Sequence, residues 1–310
     1  MAERILKRPL YLIVGLLGAA VIVLLLFWKP TVVVYGVQRA GLYAGIALPM
    51  ALILGIVHIV NLAHGEFMIT AAYITYFLCN SFGMSPLAAL VPVVIVMFLL
   101  GMLIFRFTIK YTLKAPELNQ LILTFGLAMV LTQALNLIAT SQPRKISLDF
   151  VTSSATVGET TFGTYGFIYD LAAVLILAGL LFFLRKTKFG KAAVAVGQNP
   201  NGARIIGINV NKVYLLVFSL AIALTGIMGV LFLTSQSIFP LAGGPYTMKS
   251  FCLVAMAGMG SLPGIVFASI GLGIAESLIM SFQGYGGWSH IVFFALIIIV
   301  ILIKSFKGKR

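Results

Sequence analysis

Acidic residues are scarce in this chain of 310 residues, which has 7 Asp and Glu against 21 Lys and Arg. Charged residues make up only 9 % of the sequence, whereas hydrophobic residues make up 61 %. Because such a composition leaves too few polar side chains to cover a soluble domain, it excludes that class of protein. The formal net charge of +14 would indicate a nucleic-acid partner in a soluble chain. Here most cations lie in short loops beside apolar runs, so no nucleic acid is expected.

Several chemical signatures are also missing. The two cysteines, Cys79 and Cys252, both lie in apolar stretches and imply no disulfide framework. The sequence has no GxxxxGK[ST] loop for ATP, no HExxH pair, no GxSxG turn and no metal-type spacing of His and Cys. We therefore expect a protein that is not an enzyme and that holds neither a cofactor nor a metal.

Long apolar runs predict an all-α polytopic membrane protein, with residues 1–310 forming one transmembrane domain. One run, 250–262, has only about half the length that crosses a bilayer. Counted as a short crossing it gives about ten transmembrane helices, and counted as a re-entrant segment or part of a broken span it gives about eight. The predicted spans are 9–28, 36–58, the run that follows residue 66 and ends near 82, 86–105, 118–139, 167–184, 213–234, 250–262, 264–282 and 288–303.

Two helix-breaking motifs interrupt the apolar sequence, NLAHG at 61–65 and GSLPG at 260–264. They predict short or broken helices near 60–66 and 250–264. Because the two breaks fall in different halves of the chain, they point to an internal repeat around a central pathway. The residues themselves show no evident repeat.

Two acids, Glu66 and Glu276, lie closest to membrane depth. Intramembrane carboxylates usually mark a path for a substrate or ion, although Glu66 could equally cap a helix start. His58, Asn61 and Gly65 could share one helical face, but a lone histidine there is more often a packed interior residue. The candidate pathway or gate residues are Asn61, His64, Gly65, Glu66, Gly260, Pro263 and Glu276.

The segment 185–212 is the most basic polar interval of the chain and contains no acid. Since basic loops stay on the cytoplasmic side, it is predicted to be cytoplasmic, together with both chain termini. By the same topology the polar loop 140–166 lies outside. The cations of the segment are Arg185, Lys186, Lys188, Lys191, Arg204 and Lys212.

A short capped helix is predicted inside this basic segment. Asn199 suits the N-cap, Pro200 the first helical position and Gly207 the position just past the end. Roughly two turns of helix are too short to be stable alone. The segment is therefore either a helix that docks on a partner or a solvated connector.

The chain resembles the permease subunits of high-affinity branched-chain amino-acid ABC importers over nearly its whole length. The segments that carry this resemblance are AGLYAG (40–45), VNLAHGEFMITAAY (60–73), LILTFGLAMVLTQALNLI (121–138), TKFGKAAVAVGQNPNGARIIGIN (187–209), GMGSLPG (258–264) and GLGIAESL (271–278). The last three are quite specific in combination. The chain has Val194 and Ala195 where the family usually has an Arg-Ala pair, and Leu48–Pro49 is also unusual for the family.

The resemblance implies a subunit of an importer in a bacterial-type inner membrane, in contact with lipid. Its expected partners are a homologous second permease, two ATPase subunits, a periplasmic substrate-binding protein and a small-molecule substrate. In such importers a cytoplasmic helix of the permease docks in a cleft of the ATPase. Carried over by motif, the coupling residues are Gly190, Ala192, Asn199, Ala203, Gly207, Ile208 and Asn209.

Some cations are predicted on the outer side, against the general charge asymmetry. They are either tolerated surface charges or a rim that pairs with acids on the binding protein. The candidate docking residues are Arg39, Arg144, Lys145 and Lys249.

Two alternative functions stay open on the sequence. One is a permease of the same superfamily for another solute, such as urea, a short amide, a sugar or a nucleoside. The other is a stand-alone secondary transporter or channel, which would transport without an ATPase.

Overall fold

The computed structural model describes residues 29–113, 115–146, 153–157, 160–258 and 260–282, with isolated positions between 291 and 298. The predicted first span, 9–28, and both chain termini lie outside the described residues. The predicted last span, 288–303, is described only at isolated positions.

The described part of the chain is largely helical, as the apolar runs predict. The helices are α1 (Pro30–Ile56), α2 (His64–Phe82), α3 (Pro86–Ile104), α4 (Glu117–Ala139), α5 (Gly166–Lys186), α6 (Lys188–Gln198), α7 (Pro200–Ile205), α8 (Val210–Ser235), α9 (Gly244–Ala257) and α10 (Leu262–Met280). Beyond α3 the chain continues as a π-helical turn over Phe105–Ile109 and a last α-helical turn over Lys110–Thr112. A 3₁₀ turn, Pro240–Ala242, precedes α9.

Local sequence explains where several helices begin and end. Proline stands in the first turn of α1 and α3, where its missing N–H costs no helical hydrogen bond. The Ser85 hydroxyl accepts a hydrogen bond from Ala88 N at the start of α3. Helix α2 ends at Gly83, whose φ of +63° lies in the left-handed region that glycine adopts without strain.

Six described helices are long and apolar enough to cross a membrane: α1, α3 with its extension, α4, α5, α8 and α10. They support a polytopic membrane fold, while the total of ten spans stays a prediction. Helix α9 starts six residues before the predicted run at 250–262 and has 14 residues. Its length is about 21 Å, too short for a hydrocarbon core of about 30 Å.

The predicted outer loop, 140–166, contains a small sheet that the sequence analysis did not anticipate. Strand β1 (Ser154–Val157) pairs antiparallel with β2 (Thr160–Gly163), and Ser154 lies opposite Gly163. The Gln38 side chain of α1 donates a hydrogen bond of 2.7 Å to the Gly163 carbonyl. This contact fixes the strand pair on the start of α1.

Helices α1 and α8 form the centre of the molecule, and most of the apolar stretch of each is buried. Helices α3, α4 and α5 instead leave most of their apolar surface uncovered by the described chain. A helix that is apolar all round is suited to contact with both protein and lipid. The arrangement is a packed protein centre with a lipid-facing periphery.

The centre has an internal two-fold arrangement. Helix α10 packs along α1, and a Cβ built on Gly273 would meet the backbone of Gly36. Helix α3 packs along α8 in the same way, with Gly101 against Ser219. The series α1, α2, α3 is therefore repeated by α8, α9, α10.

The two halves run in opposite directions. The hydroxyl of Tyr165 donates a hydrogen bond of 2.9 Å to the Leu231 carbonyl, near the end of α8. The adjacent residue, Gly166, packs on Gln38 near the start of α1. Since the beginning of α1 and the end of α8 lie side by side, the repeat is inverted.

Candidate functional site

The beginnings of α2 and α9 meet inside the protein. The Gly65 amide donates a hydrogen bond of 2.7 Å to Thr247 Oγ1. A Cβ on Gly65 would collide with the Gly243 carbonyl oxygen, and a Cβ on Gly243 would lie 2.7 Å from Glu66 N. Glycine is required at both positions because only its missing side chain lets the backbones approach this closely.

These two helix starts share a short sequence, Leu-Ala-x-Gly, at 62–65 and 241–244. The expected partner of NLAHG was GSLPG, and this pairing is corrected by the structure. The break at 258–261 exists, but it lies at the far end of α1, where a Cβ on Gly55 would be 3.4 Å from Gly260 Cα. The partner of NLAHG is the segment 238–245, which the predicted spans leave as a connecting loop. Ile238 and Ala242 are instead buried.

Polar residues of the first break are held by hydrogen bonds. His64 is buried, and its Nε2 lies 2.8 Å from the Ile46 carbonyl, whereas His58, for which a packed interior position was the favoured interpretation, is exposed. The Glu66 carboxylate accepts a hydrogen bond of 3.3 Å from the Thr247 hydroxyl, and Asn61 Oδ1 accepts one of 3.1 Å from Ala63 N. Glu66 therefore lies in the first turn of α2 and also contacts α9.

The predicted helical face of His58, Asn61 and Gly65 does not exist, because the chain is not helical over 57–63. His58 has a positive φ of +58°, and its ring nitrogen lies 2.9 Å from the Gly197 carbonyl of α6. The contact joins the first helix break to the basic segment.

A buried ionic cluster connects α1, α9 and α10. Lys249 Nζ lies 3.0 and 3.2 Å from the two carboxylate oxygens of Glu276 and donates a hydrogen bond of 2.6 Å to the Tyr43 hydroxyl. Tyr43 in turn donates to Glu276 Oε2. The Arg39 guanidinium lies 3.6 Å from Glu276 Oε1. Such charges are tolerated at membrane depth only when they are paired.

This cluster corrects the placement of Lys249, which was expected in an exposed rim. Lys249 is 7 % exposed and Glu276 is 3 % exposed. Because α9 begins at Gly244, Lys249 falls in the second turn of an embedded helix rather than in an outer loop.

A cavity of about 390 Å³ lies beside the cluster. Arg39 and Tyr43 reach it from the cluster, and most other polar groups around it are tyrosine hydroxyls. Its polar lining residues are Tyr35, Gln38, Arg39, Tyr43, Tyr165, Tyr169, Ser235, Gln236 and Tyr246. Sequence reasoning missed these tyrosines, since they are dispersed over three helices and the residue before α5; the available signal was an aromatic hydroxyl recurring in or beside apolar spans.

The remaining predicted docking cations have different surroundings. Arg144 pairs its backbone with Ile238, and its guanidinium donates hydrogen bonds of 3.3 Å to the Tyr76 hydroxyl and the Ala139 carbonyl. Lys145 is exposed. Arg144 therefore ties the outer loop to α2, and of the two only Lys145 presents its whole side chain to a partner.

The basic segment folds as two consecutive capped helices. The Asn199 side chain accepts a hydrogen bond of 2.9 Å from Gly202 N at the start of α7, and Pro200 takes the first position. Gly207 has a φ of +84° just past the helix end. These three features of the predicted short helix are confirmed. Thr187 caps α6, and Asn209 caps α8.

The predicted coupling residues range from buried to exposed in the structure. Ala203 is 3 % exposed and faces its own chain, and Gly190 packs on the Phe183 carbonyl. Ala192 and Ile208 are half-buried, while Asn199, Gly207 and Asn209 are exposed. Ala203, one of the predicted coupling residues, is therefore not on the exposed surface of α7.

Two adjacent apolar residues, neither of them among the coupling residues carried over by motif, dominate the exposed surface of this segment. Ile205 is 86 % exposed and Ile206 is 73 % exposed, beside the exposed Arg204. An adjacent pair of exposed isoleucines on a short polar helix is typical of a protein contact surface.

No metal site is formed within the described ranges, where no three His, Cys, Asp or Glu side chains come together. The pathway candidates fall into separate groups. Asn61, His64, Gly65 and Glu66 surround the meeting point of α2 and α9, Glu276 belongs to the ionic cluster, and Gly260 and Pro263 lie at the opposite end, beside α6.

Residues 32–301 match the protein family described as branched-chain amino acid transport system, permease component. The chain is similar to the high-affinity branched-chain amino acid transport system permease protein LivH of Salmonella typhimurium. Identity is 25 % over 281 residues, which cover 86 % of this chain and 91 % of the relative. The probable branched-chain amino acid permease LivH of Methanocaldococcus jannaschii is 28 % identical over 86 % of this chain and 88 % of its own length.

A sugar permease is also similar. The fructose import permease protein FrcC of Rhizobium meliloti is 25 % identical over 169 residues, which are 52 % of this chain and 46 % of that protein.

Proposed function

Since the chain belongs to the permease-component family of branched-chain amino acid transport systems, we propose that it is one half of the translocation pathway of an ATP-driven importer for branched-chain or related amino acids. The proposed assembly contains a homologous second permease, two ATPase subunits and a periplasmic binding protein, in a bacterial-type inner membrane. Both chain termini and α6–α7 lie on the cytoplasmic side in this assignment, because the basic residues concentrate there.

The observation that carries the proposal is the exposed pair Ile205–Ile206 on the capped helix α7. A helix of six residues has no stability of its own, and here it is held by its caps and by the buried Ala203. The exposed apolar surface of this helix consists of the two isoleucine side chains beside the cation Arg204. We assign this surface to the ATPase contact.

The coupling contact can be tested with Ile205→Asp and Ile206→Asp together. Both side chains are exposed, so the membrane domain should fold normally. Two desolvated charges should weaken ATPase binding by tenfold or more, as loss of about 1.4 kcal/mol or more at a contact centre does. The measurement is co-purification of the ATPase and ATP-driven uptake in proteoliposomes.

The matched control is Asn201→Asp, which adds a negative charge to the same exposed helix without removing apolar area. Its effect should be much smaller. Ala203→Asp is a different test, because a charge at a buried site disturbs the fold of the segment itself. Wild-type uptake by the double isoleucine variant would show that α7 is a connector.

The ionic cluster and the tyrosine cavity support an amino-acid substrate. A zwitterion carries one carboxylate and one ammonium. Arg39 lines the cavity and can pair with the carboxylate, while the tyrosine hydroxyls around it can accept hydrogen bonds from the ammonium. Purification of the chain with its neighbouring subunits, followed by identification of the co-purified solute, tests this assignment.

A sugar is the second candidate substrate, because of the similarity to the fructose permease. Binding of a neutral sugar would rely on the tyrosine hydroxyls and would not require Arg39. Uptake of radiolabelled leucine and fructose by the same reconstituted complex separates the two. An Arg39→Gln variant that loses only amino-acid uptake would support the first candidate.

A further inference from the structure

A groove of about 450 Å³ lies at the cytoplasmic end of the molecule, between the end of α5, the start of α6 and the start of α10. Its two ends differ in character. One end is apolar, with Leu181 and Leu184 on α5 and Leu262 on α10. The other end carries the exposed cations Arg185 and Lys191.

The cations of the groove have no counter-charge in the described chain. Within the described ranges, neither the Arg185 nor the Lys191 side chain forms a hydrogen bond or ion pair. The four acids in those ranges, Glu66, Glu117, Asp170 and Glu276, do not line the groove. The groove therefore offers two positive charges to a ligand.

The apolar end lies within the membrane-spanning part of α5. Leu181 and Leu184 fall inside the span Gly166–Lys186, and Phe182 between them is 65 % exposed. A water-soluble partner cannot reach this depth, whereas an acyl chain already occupies it. The charged end follows directly at the span terminus, where lipid headgroups lie.

We propose that this groove binds an anionic phospholipid of the cytoplasmic leaflet. The phosphate of the headgroup lies between Arg185 and Lys191, and an acyl chain packs on Leu181, Leu184 and Leu262. Basic pockets between transmembrane helices on the cytoplasmic side are suited to such headgroups. Because Lys191 belongs to α6, the bound lipid would brace the helix that leads to α7.

The test uses the full-length chain, delipidated in detergent and mixed with equal amounts of phosphatidylglycerol and phosphatidylcholine. Native mass spectrometry counts the retained lipids. The double variant Arg185→Gln with Lys191→Gln should lose retained phosphatidylglycerol by about fivefold per cation removed, since each cation at an anionic surface contributes about 1 kcal/mol.

The matched control is Lys186→Gln with Lys188→Gln. These two residues are exposed cations of the same segment, but they do not line the groove. The control removes the same charge and should retain phosphatidylglycerol to within about twofold of wild type, because only diffuse attraction is lost. Equal losses in the two double variants would overturn the proposal, as would an unchanged count in the first.

A second measurement locates the lipid. Tryptophan introduced by Leu184→Trp should be quenched more by phosphatidylglycerol brominated on its acyl chain than by the corresponding phosphatidylcholine. This preference should disappear with Arg185→Gln and Lys191→Gln. If soluble glycerol phosphate abolishes the preference, the site recognises a free phosphate and the proposal fails. Neither measurement depends on transport. The test of lipid binding can therefore fail or succeed whether or not the proposed transport function is correct.

Discussion

The two helix breaks at the centre of the molecule have related backbones and different chemistry. The first break leads into His64, which is hydrogen-bonded to the Ile46 carbonyl and the Thr225 hydroxyl, and Glu66, which is hydrogen-bonded to Thr247. The second leads through Gly243 and Gly244 to Lys249, which forms an ion pair with Glu276. The inverted repeat thus gives both breaks the same backbone arrangement, but among the described residues only the second break leads to a side chain that forms an ion pair. The comparison shows that symmetry of fold leaves the polar side chains free to diverge.

The largest effect on stability is expected when one charge of the buried ionic cluster is removed. Glu276→Gln should lower the free energy of unfolding by about 3–5 kcal/mol, because it leaves the buried ammonium of Lys249 without its carboxylate. Chemical unfolding in detergent measures this loss.

The paired variant Glu276→Gln with Lys249→Met is the control for this effect. Removal of both charges should restore most of the lost stability, since no uncompensated charge remains in the interior. A Glu276→Gln protein within about 1 kcal/mol of wild type would contradict a stabilising role for the pair.

The next largest effect is expected at the close backbone contact between the starts of α2 and α9. Gly65→Ala and Gly243→Ala should each cost about 1–3 kcal/mol, because the new methyl group meets the opposite helix start. The two changes act on one contact, so the double variant should cost less than their sum. The thermal unfolding temperatures of the two single variants and the double variant measure these losses.

Gly271→Ala on α10 serves as the reference for these glycine variants. A Cβ there meets no atom of the described residues within 4 Å, and alanine favours a helix by about 1 kcal/mol over glycine. The reference should therefore be neutral or stabilising. A loss at Gly271 equal to that at Gly65 would mean that helix contact is not the cause.

The smallest effect is expected at the first break, where Glu66 accepts a hydrogen bond but forms no ion pair with the described residues. Glu66→Gln should change the free energy of unfolding by about 1 kcal/mol or less, since an amide oxygen can still accept the hydrogen bond of Thr247. Measured beside Glu276→Gln, this variant compares a hydrogen-bonded acid with an ion-paired one. Equal losses would remove the chemical difference between the two halves.

Local signals in the sequence predicted local structure well. Apolar length placed α4 and α5 within one or two residues of their observed ends, and the cap at Asn199 and the glycine at Gly207 placed α7. These features depend on a few consecutive residues, so the sequence around each position contains the whole signal.

Tertiary placement was harder to predict, because it depends on residues far apart in the chain. The alternation of predicted spans assigned Lys249 to the outer side, but Glu276 and Tyr43 on other helices make its burial possible. Ala203 was assigned to the coupling contact by motif, but a motif does not distinguish the inner side of a short helix from its outer side. The shared Leu-Ala-x-Gly segment was visible in the sequence, but four residues without their contacts are too short to establish a repeat.

The π-helical turn at Phe105–Ile109 has a consequence for the long helix that contains it. Along this helix the residues buried against the protein recur every four positions: Ala89, Val93, Met97, Gly101, Phe105 and Ile109. In an α-helix, positions four apart drift by about 40° around the axis, so such a row gradually rotates away from a straight neighbour. A π-helical turn contains more residues than an α-helical turn, so each residue rotates by a smaller angle about the helix axis. The drift is therefore smaller where the row ends. Deletion of one residue from 105–109 would turn Ile109 by about 100° and exchange a protein-facing side chain for a lipid-facing one.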